Sequence, residues 1–260
     1  MTKKLQAVLF DWAGTTVDYG SRAPTAVFVE IFRRRGVEVT IAEARGPMGM
    51  SKREHIATVL ALPRVSQLWN EVHGRPPVDG DVQAMYDEFL PLQLDTLRAG
   101  SDLIPGAVEA IAECRRLGLK IGSTTGYTRA LMEVVTPIAA AGGYVPDCVI
   151  CSDDVPLGRP TPWMNFRAAE KLNVYPLSEV VIVDDTPVGI AAGLNAGCIT
   201  IAVSQTGNAL GLSLAEVDNL DPQDLQTRLA AIERDFLAQG AHYVIRSVVE
   251  LPPLLAKLQS

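Results

Sequence analysis

The sequence predicts a doubly wound α/β domain of Rossmann-like type: a parallel sheet with helices on both faces and a helical block inserted after its first strand. Three observations predict it. Short apolar runs of four or five residues alternate with helical stretches through much of the 260-residue chain, as strands buried on both faces of a parallel sheet do. From about Ser21 to Gly100 the alternation stops and only amphipathic helical text remains. Several runs end in acidic or hydroxyl residues, and in an open α/β sheet ligand chemistry collects at the carboxyl ends of strands.

The elements follow in order. Ala7–Phe10 reads as the first strand. Ala26, Val27, Ile31 and Phe32, then Ile56, Val59 and Leu60, then Met85, Phe89, Leu90, Leu92 and Leu97 fall at helical spacing. They predict a helical cap domain over 21–99, with hinges near Tyr19–Pro24 and Ala99–Pro105, and an α/β core made of 1–20 and 100–260. Arg33, Arg34 and Arg35 close a helix before Gly36, where their charge suits the helix dipole on a solvated face. The stretch Pro105–Leu117 has Pro near its start, Arg115 and Arg116 in its last turn and Gly118 as its stop. Leu119–Ser123, Cys148–Cys151, Val180–Val183 and Ile199–Val203 read as further strands. Between them lie helices over Arg129–Ala141, which Pro137 is expected to kink or divide, and over Pro162–Leu172. Gly189–Ala196 is small and apolar, suited to packing closely on a sheet.

Composition removes several function classes. There are 23 Lys+Arg against 30 Asp+Glu, a formal net charge of −7. Without basic blocks, that balance argues against nucleic acid or an anionic membrane as partner. No apolar run approaches the ~20 residues that span a bilayer, and the start of the chain lacks a signal-peptide pattern, so a soluble cytoplasmic protein is expected. Four cysteines, Cys114, Cys148, Cys151 and Cys198, are too few for a disulfide scaffold and read as buried thiols.

The strand ends carry the chemistry. Asp11-Trp12-Ala13-Gly14-Thr15 follows the first strand; Asp11 there is either a turn-former or a nucleophile and metal ligand. Thr124-Thr125-Gly126-Tyr127-Thr128 leads into a helix N-terminus, a ready site for one phosphate. Asp184-Asp185 sets two carboxylates beside a sheet, which calls for a cation. Arg159 adds a fixed positive charge after the Cys148–Cys151 run. Acid, hydroxyl, base and acid pair at successive strand ends form a coherent Mg²⁺-plus-phosphoryl site.

Asp11, Thr125, Arg159 and Asp184-Asp185 stand in the order of the motifs of the haloacid dehalogenase superfamily of phosphoryl-transfer enzymes, which the chain resembles from Lys4 to Val203. The rest, up to Leu258, resembles that family's closing strand and helix. Ala13 departs from the pattern, because phosphatases of the superfamily carry there a second Asp as general acid for an alkoxide. Either the protein is not an enzyme, or its leaving group needs no proton from that position. Gly46-Pro-Met-Gly-Met-Ser-Lys-Arg-Glu-His-Ile56 places Lys52 and His55 at i, i+3 on one helical face. With Asp11-Trp-Ala-Gly-Thr, this segment is similar to the phosphonatase family, which hydrolyses the P–C bond of phosphonoacetaldehyde.

That resemblance implies Asp11 as nucleophile and Lys52 as Schiff-base residue. One Mg²⁺ per subunit would be held by Asp11, the Ala13 carbonyl and Asp185. Thr125 and Arg159 would orient phosphonate oxygens, and Gly14 and Gly49 would allow close backbone approach. Met48 would pack near the lysine, and His55 and Tyr127 would shuttle protons. Many superfamily members have an Asp where Gly189 stands, and Asp184 is the residue able to take over part of its role. A homodimer is also implied, with the cap helices bearing Trp69 and Met85 as the candidate contact.

Two other readings compete: a phosphomonoesterase or phosphomutase, against which Ala13 counts, and a non-catalytic phosphonate-binding module, against which the intact Asp11, Thr125, Arg159 and Asp185 count. Plainer roles compete residue by residue. His55 is alternatively a polar helix-face residue, and His73 reads as a loop residue. His242 reads as structural and Trp12 as packing at the core–cap boundary. Asp153 and Asp154 either cap a turn or line the metal site.

Overall fold

A computed structural model describes residues 4–260. β1 (Ala7–Phe10) is followed by five helices: α1 (Arg22–Arg34), α2 (Ile41–Arg45), α3 (Lys52–Leu60), α4 (Pro63–His73) and α5 (Asp79–Ala99). The alternating part then runs through α6 (Ala107–Arg116), β2 (Lys120–Thr124), α7 (Arg129–Ala141), β3 (Cys148–Ile150), α8 (Trp163–Leu172), β4 (Val180–Asp184), α9 (Pro187–Asn195) and β5 (Ile199–Val203). It closes with α10 (Leu214–Asp218), α11 (Pro222–Ala238), β6 (Tyr243–Ile245) and α12 (Leu251–Gln259). The six strands form one parallel sheet in the order β3-β2-β1-β4-β5-β6. The chain reverses its direction of winding between β1 and β4, which places the ligand crevice at their carboxyl ends.

Alternation within each short run explains the two covered faces. Val8 and Phe10 join the cluster under α6, α7 and α12, whereas Ala7 and Leu9 join Met164, Ala168 and Leu172 of α8 on the other face. The small residues of α9 do what their size suggests: a Cβ on Gly193 would lie 2.6 Å from Thr200 Cγ2 and 2.9 Å from Ile182 Cγ1, so only glycine lets the helix sit this close. The five inserted helices have an apolar cluster of their own, built from Phe28, Ile31, Phe32, Ile56, Trp69, Met85 and Phe89.

Several expectations need correction. Pro137 does not divide α7, which is continuous over Arg129–Ala141. Pro137 and Glu133, whose carbonyl loses its partner, are both exposed, so the unmade bond lies on the helix's outer face. Pro91 sits within α5 in the same way, with Asp87 exposed. Trp69 and Met85 are interior residues of the inserted helices, 1% and 0% exposed, and do not form a contact surface. His73 is the last residue of α4 rather than a loop residue, and its ring packs on Trp69. Trp12 lies fully within the sheet's cluster and donates to Ser123 Oγ at 2.8 Å. Asp153 and Asp154 cap a turn: they accept from the Arg129 and Cys151 amides, respectively, and take no part in the carboxylate cluster. All four cysteines are free, and His242 Nδ1 bonds the backbone and hydroxyl of Thr200. Among the described residues no helix is long and apolar enough to cross a membrane.

Candidate active site

Asp11 stands one residue beyond β1, and its backbone N–H still pairs with Val183 of β4. The chain then turns sharply: the Trp12 carbonyl accepts from Thr15, Thr16 and Val17, and Gly14 adopts φ +85°. A Cβ on Gly14 would fall 2.2 Å from Asp185 Oδ2, so glycine is needed for the two strand ends to meet. The Ala13 carbonyl accepts no hydrogen bond among the described residues. Asp185, just past β4, is held by the Asn208 amide at 2.7 Å and by the Thr15 hydroxyl at 3.3 Å.

Arg159 is buried between two carboxylates, 2.8 Å from Asp11 Oδ1 and 3.1 Å from Asp184 Oδ2. It also donates to the carbonyl and hydroxyl of Thr124, which fixes its fork at the end of β2. Asp184 accepts on its other oxygen from the amide and hydroxyl of Thr186. This carboxylate fills the volume that a side chain at position 189 would need, since a Cβ on Gly189 would lie 2.0 Å from Asp184 Cγ. With Asp184 turned this way, position 189 has no room for an acid. We expect Gly189→Ala to destabilise the protein by about 2–3 kcal/mol, read from denaturant midpoints, whereas Gly197→Ala, where a Cβ meets nothing and only the φ of +74° opposes it, costs about 1 kcal/mol.

Asp11, Asp184 and Asp185 each offer an oxygen within 4.8 Å of the others, all buried. Burial and the neighbouring carboxylates push the Asp185 carboxyl well above its ordinary value. Burial outweighs the opposing Arg159 charge and raises Asp11 to about 7. Three such groups with one arginine among them are short of positive charge, and an all-oxygen donor set suits a hard divalent cation. The residues present fit a metal.

The inserted helices supply the opposite wall. The loop Gly46–Ser51 threads between two turns of the sheet: a Cβ on Gly49 (φ +92°) would meet Thr186 Oγ1 at 2.4 Å, and one on Gly126 would meet the Met50 carbonyl at 2.6 Å. Lys52 follows as the first residue of α3, 3% exposed. Its ammonium lies 4.7 Å from the Tyr127 ring centre and 5.4 Å from that of Phe28. Burial lowers the lysine to about 7, with Asp11 opposing and Arg159 adding to the shift. The positive end of α3 acts in the same direction.

Asp11, Ala13, Met48, Gly49, Lys52, Thr125 and Tyr127 share one narrow cleft, with Arg159 and Asp185 behind Asp11. Thr125 Oγ1 accepts from the Tyr127 amide. The Tyr127 hydroxyl is held protonated by burial and has no hydrogen-bond partner among the described residues. His55 is the exception. It does not line the cleft; its ring stacks on Phe28 at 3.6 Å and Nε2 meets the Ala44 carbonyl at 2.8 Å. Burial drives its pKa down to about 3, so the imidazole is neutral.

Sequence reasoning missed Ser21, Pro24 and Thr186 on the cleft wall and Asn208 behind Asp185. Asn208 had a readable signal, since it follows β5 at the carboxyl edge of the sheet, next to β4. Ser21 had none beyond its place in the hinge.

Residues 5–197 match the family model for haloacid dehalogenase-like hydrolases. The chain is 46% identical to the phosphonoacetaldehyde hydrolase of Paraburkholderia xenovorans, over 99% of this chain and 97% of that one. It is 45% identical, over 99% of its length, to 41% of the bifunctional phosphonoacetaldehyde hydrolase/aminoethylphosphonate transaminase of Clostridioides difficile. The crystal structure of a phosphonoacetaldehyde hydrolase like protein from Oleispira antarctica superposes with a TM-score of 0.97 at 37% identity, covering 99% of this chain and 94% of that one.

Proposed function

The chain belongs to the phosphonoacetaldehyde hydrolases of the haloacid dehalogenase-like superfamily, and on that basis we propose that it converts phosphonoacetaldehyde and water to acetaldehyde and phosphate through an imine on Lys52 and an acyl phosphate on Asp11. The observation that carries this reading is a buried lysine lowered to about 7 in the same cleft as Asp11, where position 13 offers no acid.

The chemistry follows from the leaving group. Breaking a P–C bond leaves an electron pair on carbon, which a general acid of the phosphatase kind cannot accommodate well. The neutral fraction of Lys52 condenses with the aldehyde and releases water, and the protonated imine is conjugated to the departing carbon. Asp11 attacks phosphorus; the P–C electrons move into the iminium and leave an enamine on Lys52. Protonation at carbon and hydrolysis release acetaldehyde and restore the amine. A second water cleaves the acyl phosphate and returns Asp11, so one water is consumed overall.

Asp11, the Ala13 carbonyl and Asp185 would hold Mg²⁺, which would offset negative charge on the phosphonate and on Asp11. Arg159 and Thr125 orient phosphonate oxygens, and Arg159 keeps a fixed charge against Asp11 and Asp184. Met48 and Tyr127 shield the lysine from water, and the Tyr127 ring faces the Lys52 ammonium at 4.7 Å. His55, neutral and behind Lys52, is a support for α3 rather than a substrate contact.

Residues 21–99 act as a cap domain that delivers Lys52 to a core made of 1–20 and 100–260. The transaminase named in the Clostridioides protein supports a place in 2-aminoethylphosphonate degradation, where an amine is first converted to the aldehyde. A cytoplasmic homodimer fits this role, with its contact on a surface other than Trp69 and Met85. The direct test is release of phosphate and acetaldehyde from phosphonoacetaldehyde with and without chelator. Equal release of both products, abolished by chelator and restored by Mg²⁺, is expected; phosphate from sugar monoesters but not from the phosphonate would favour a phosphomonoesterase or phosphomutase instead.

A further inference from the structure

We propose that Arg45 and Asn208 are positioning residues that tie the Asp185 carboxylate to the helix bearing Lys52, so that cation binding at the cluster and placement of the lysine reinforce each other. This rests on the reading of Lys52 as the reactive amine and of the cluster as a Mg²⁺ site.

The connection is continuous, buried at Asp185 and part-buried at Arg45. The Asn208 amide donates to Asp185 Oδ2 at 2.7 Å. The Asn208 side chain and Arg45 then bond in both directions: the guanidinium donates to Asn208 Oδ1 at 3.0 Å, and Asn208 Nδ2 donates back to the Arg45 carbonyl at 3.2 Å. The same guanidinium reaches the carbonyls of Asn208, Gly20 in the hinge and Gly211. One residue earlier, the Ala44 carbonyl meets His55 Nε2 at 2.8 Å, and His55 lies three positions after Lys52 on α3. Asn208 is 7% exposed, so its bond to Asp185 faces little competition from water, and Arg45 is half-buried.

Two glycines make the path possible. A Cβ on Gly207 would lie 2.5 Å from Asp185 Cβ, and one on Gly211 would lie 2.7 Å from the Arg45 guanidinium carbon. The segment between them is thus seated against the cluster at one end and against the inserted helices at the other. A cation that fixes Asp185 fixes Asn208, and through it Arg45, Ala44 and His55. Linkage requires the reverse effect to be equal, so the latch tightens cation binding by the same factor, roughly tenfold.

Hydrogen exchange of residues 41–60 and Mg²⁺ affinity by calorimetry, both without turnover, test this in the intact chain. Asn208→Ala removes the side-chain leg and leaves the peptide N–H on Asp185; Arg45→Ala removes the other leg, and Arg45→Lys restores part of it. In the unsubstituted protein Mg²⁺ slows exchange in α3. In both alanine variants Mg²⁺ binds roughly tenfold more weakly and α3 no longer responds, with Arg45→Lys intermediate. Should Arg45→Ala fail to fold, Asn208→Ala carries the test. Equal Mg²⁺ protection of α3 in Asn208→Ala, or none in the unsubstituted protein, overturns the proposal. Failure of the functional reading shows elsewhere, as absent acetaldehyde release while this coupling persists.

Discussion

Lys52→Ala abolishes P–C cleavage, with a loss in kcat on the order of 10⁴-fold or more, while Mg²⁺ binding persists. Without the amine no imine forms, and the electron pair released from phosphorus has no conjugated acceptor. Lys52→Arg is expected to fail equally, because a guanidinium keeps the positive charge but does not become a neutral nucleophile at accessible pH. That pair of variants separates the charge of the residue from its chemistry. The pH dependence is equally specific. Burial places the Lys52 midpoint at about 7, so the rate of imine formation rises with pH through that value instead of near the 10.5 of an ordinary lysine. Imine formation measured by borohydride trapping across pH 6 to 9 (from roughly one unit below that midpoint to two above) checks this.

Asp11→Asn removes the nucleophile and costs on the order of 10⁵-fold in turnover, yet it stabilises the cation-free protein at alkaline pH. The sign follows from proton linkage. Asp11 rises from 3.8 to about 7 on folding, so between those values the folded state binds more protons than the unfolded state. Stability from this group is therefore full below the unfolded value and is lost as pH rises through the folded one. Asparagine keeps the shape without the charge, and the gain at pH above 7 is on the order of 1–3 kcal/mol by chemical denaturation. Mg²⁺ reverses the ranking, because the cation stabilises the protein that retains the carboxylate. A variant that is inactive and less stable than the parent in chelator at that pH would contradict the account of the cluster.

Much of this was legible because the physics is local. A strand buried on both faces has little choice but to be a short apolar run, and the residue after it stands at the crevice; Asp11, Thr125 and Asp185 were found that way. Lys52 was legible through its neighbours: the Met48-Gly-Met-Ser-Lys52 segment after a glycine-containing loop, and an alanine at position 13 where an acid would otherwise stand. What stayed hidden depends on contacts between distant segments. The turn of the Asp184 carboxylate into the space at Gly189 leaves no mark in local pattern, nor does the pairing of Arg45 with Asn208, 163 residues apart. His55 had the right spacing for a cleft residue, but stacking on Phe28 and the bond to Ala44 draw its ring behind the wall. Trp69 and Met85 read as apolar surface because helical periodicity reports that a face is buried, not against what.

The central claim is that Lys52 becomes covalently joined to the substrate's carbon skeleton, and one measurement tests it most directly. The protein is incubated with phosphonoacetaldehyde and Mg²⁺, reduced with borohydride, digested and read by mass spectrometry. The account predicts one ethyl group on Lys52, left by reduction of the imine after phosphorus has departed, and no such adduct in Lys52→Ala. An adduct that persists in Lys52→Ala, or full turnover with Lys52 never modified, would contradict it.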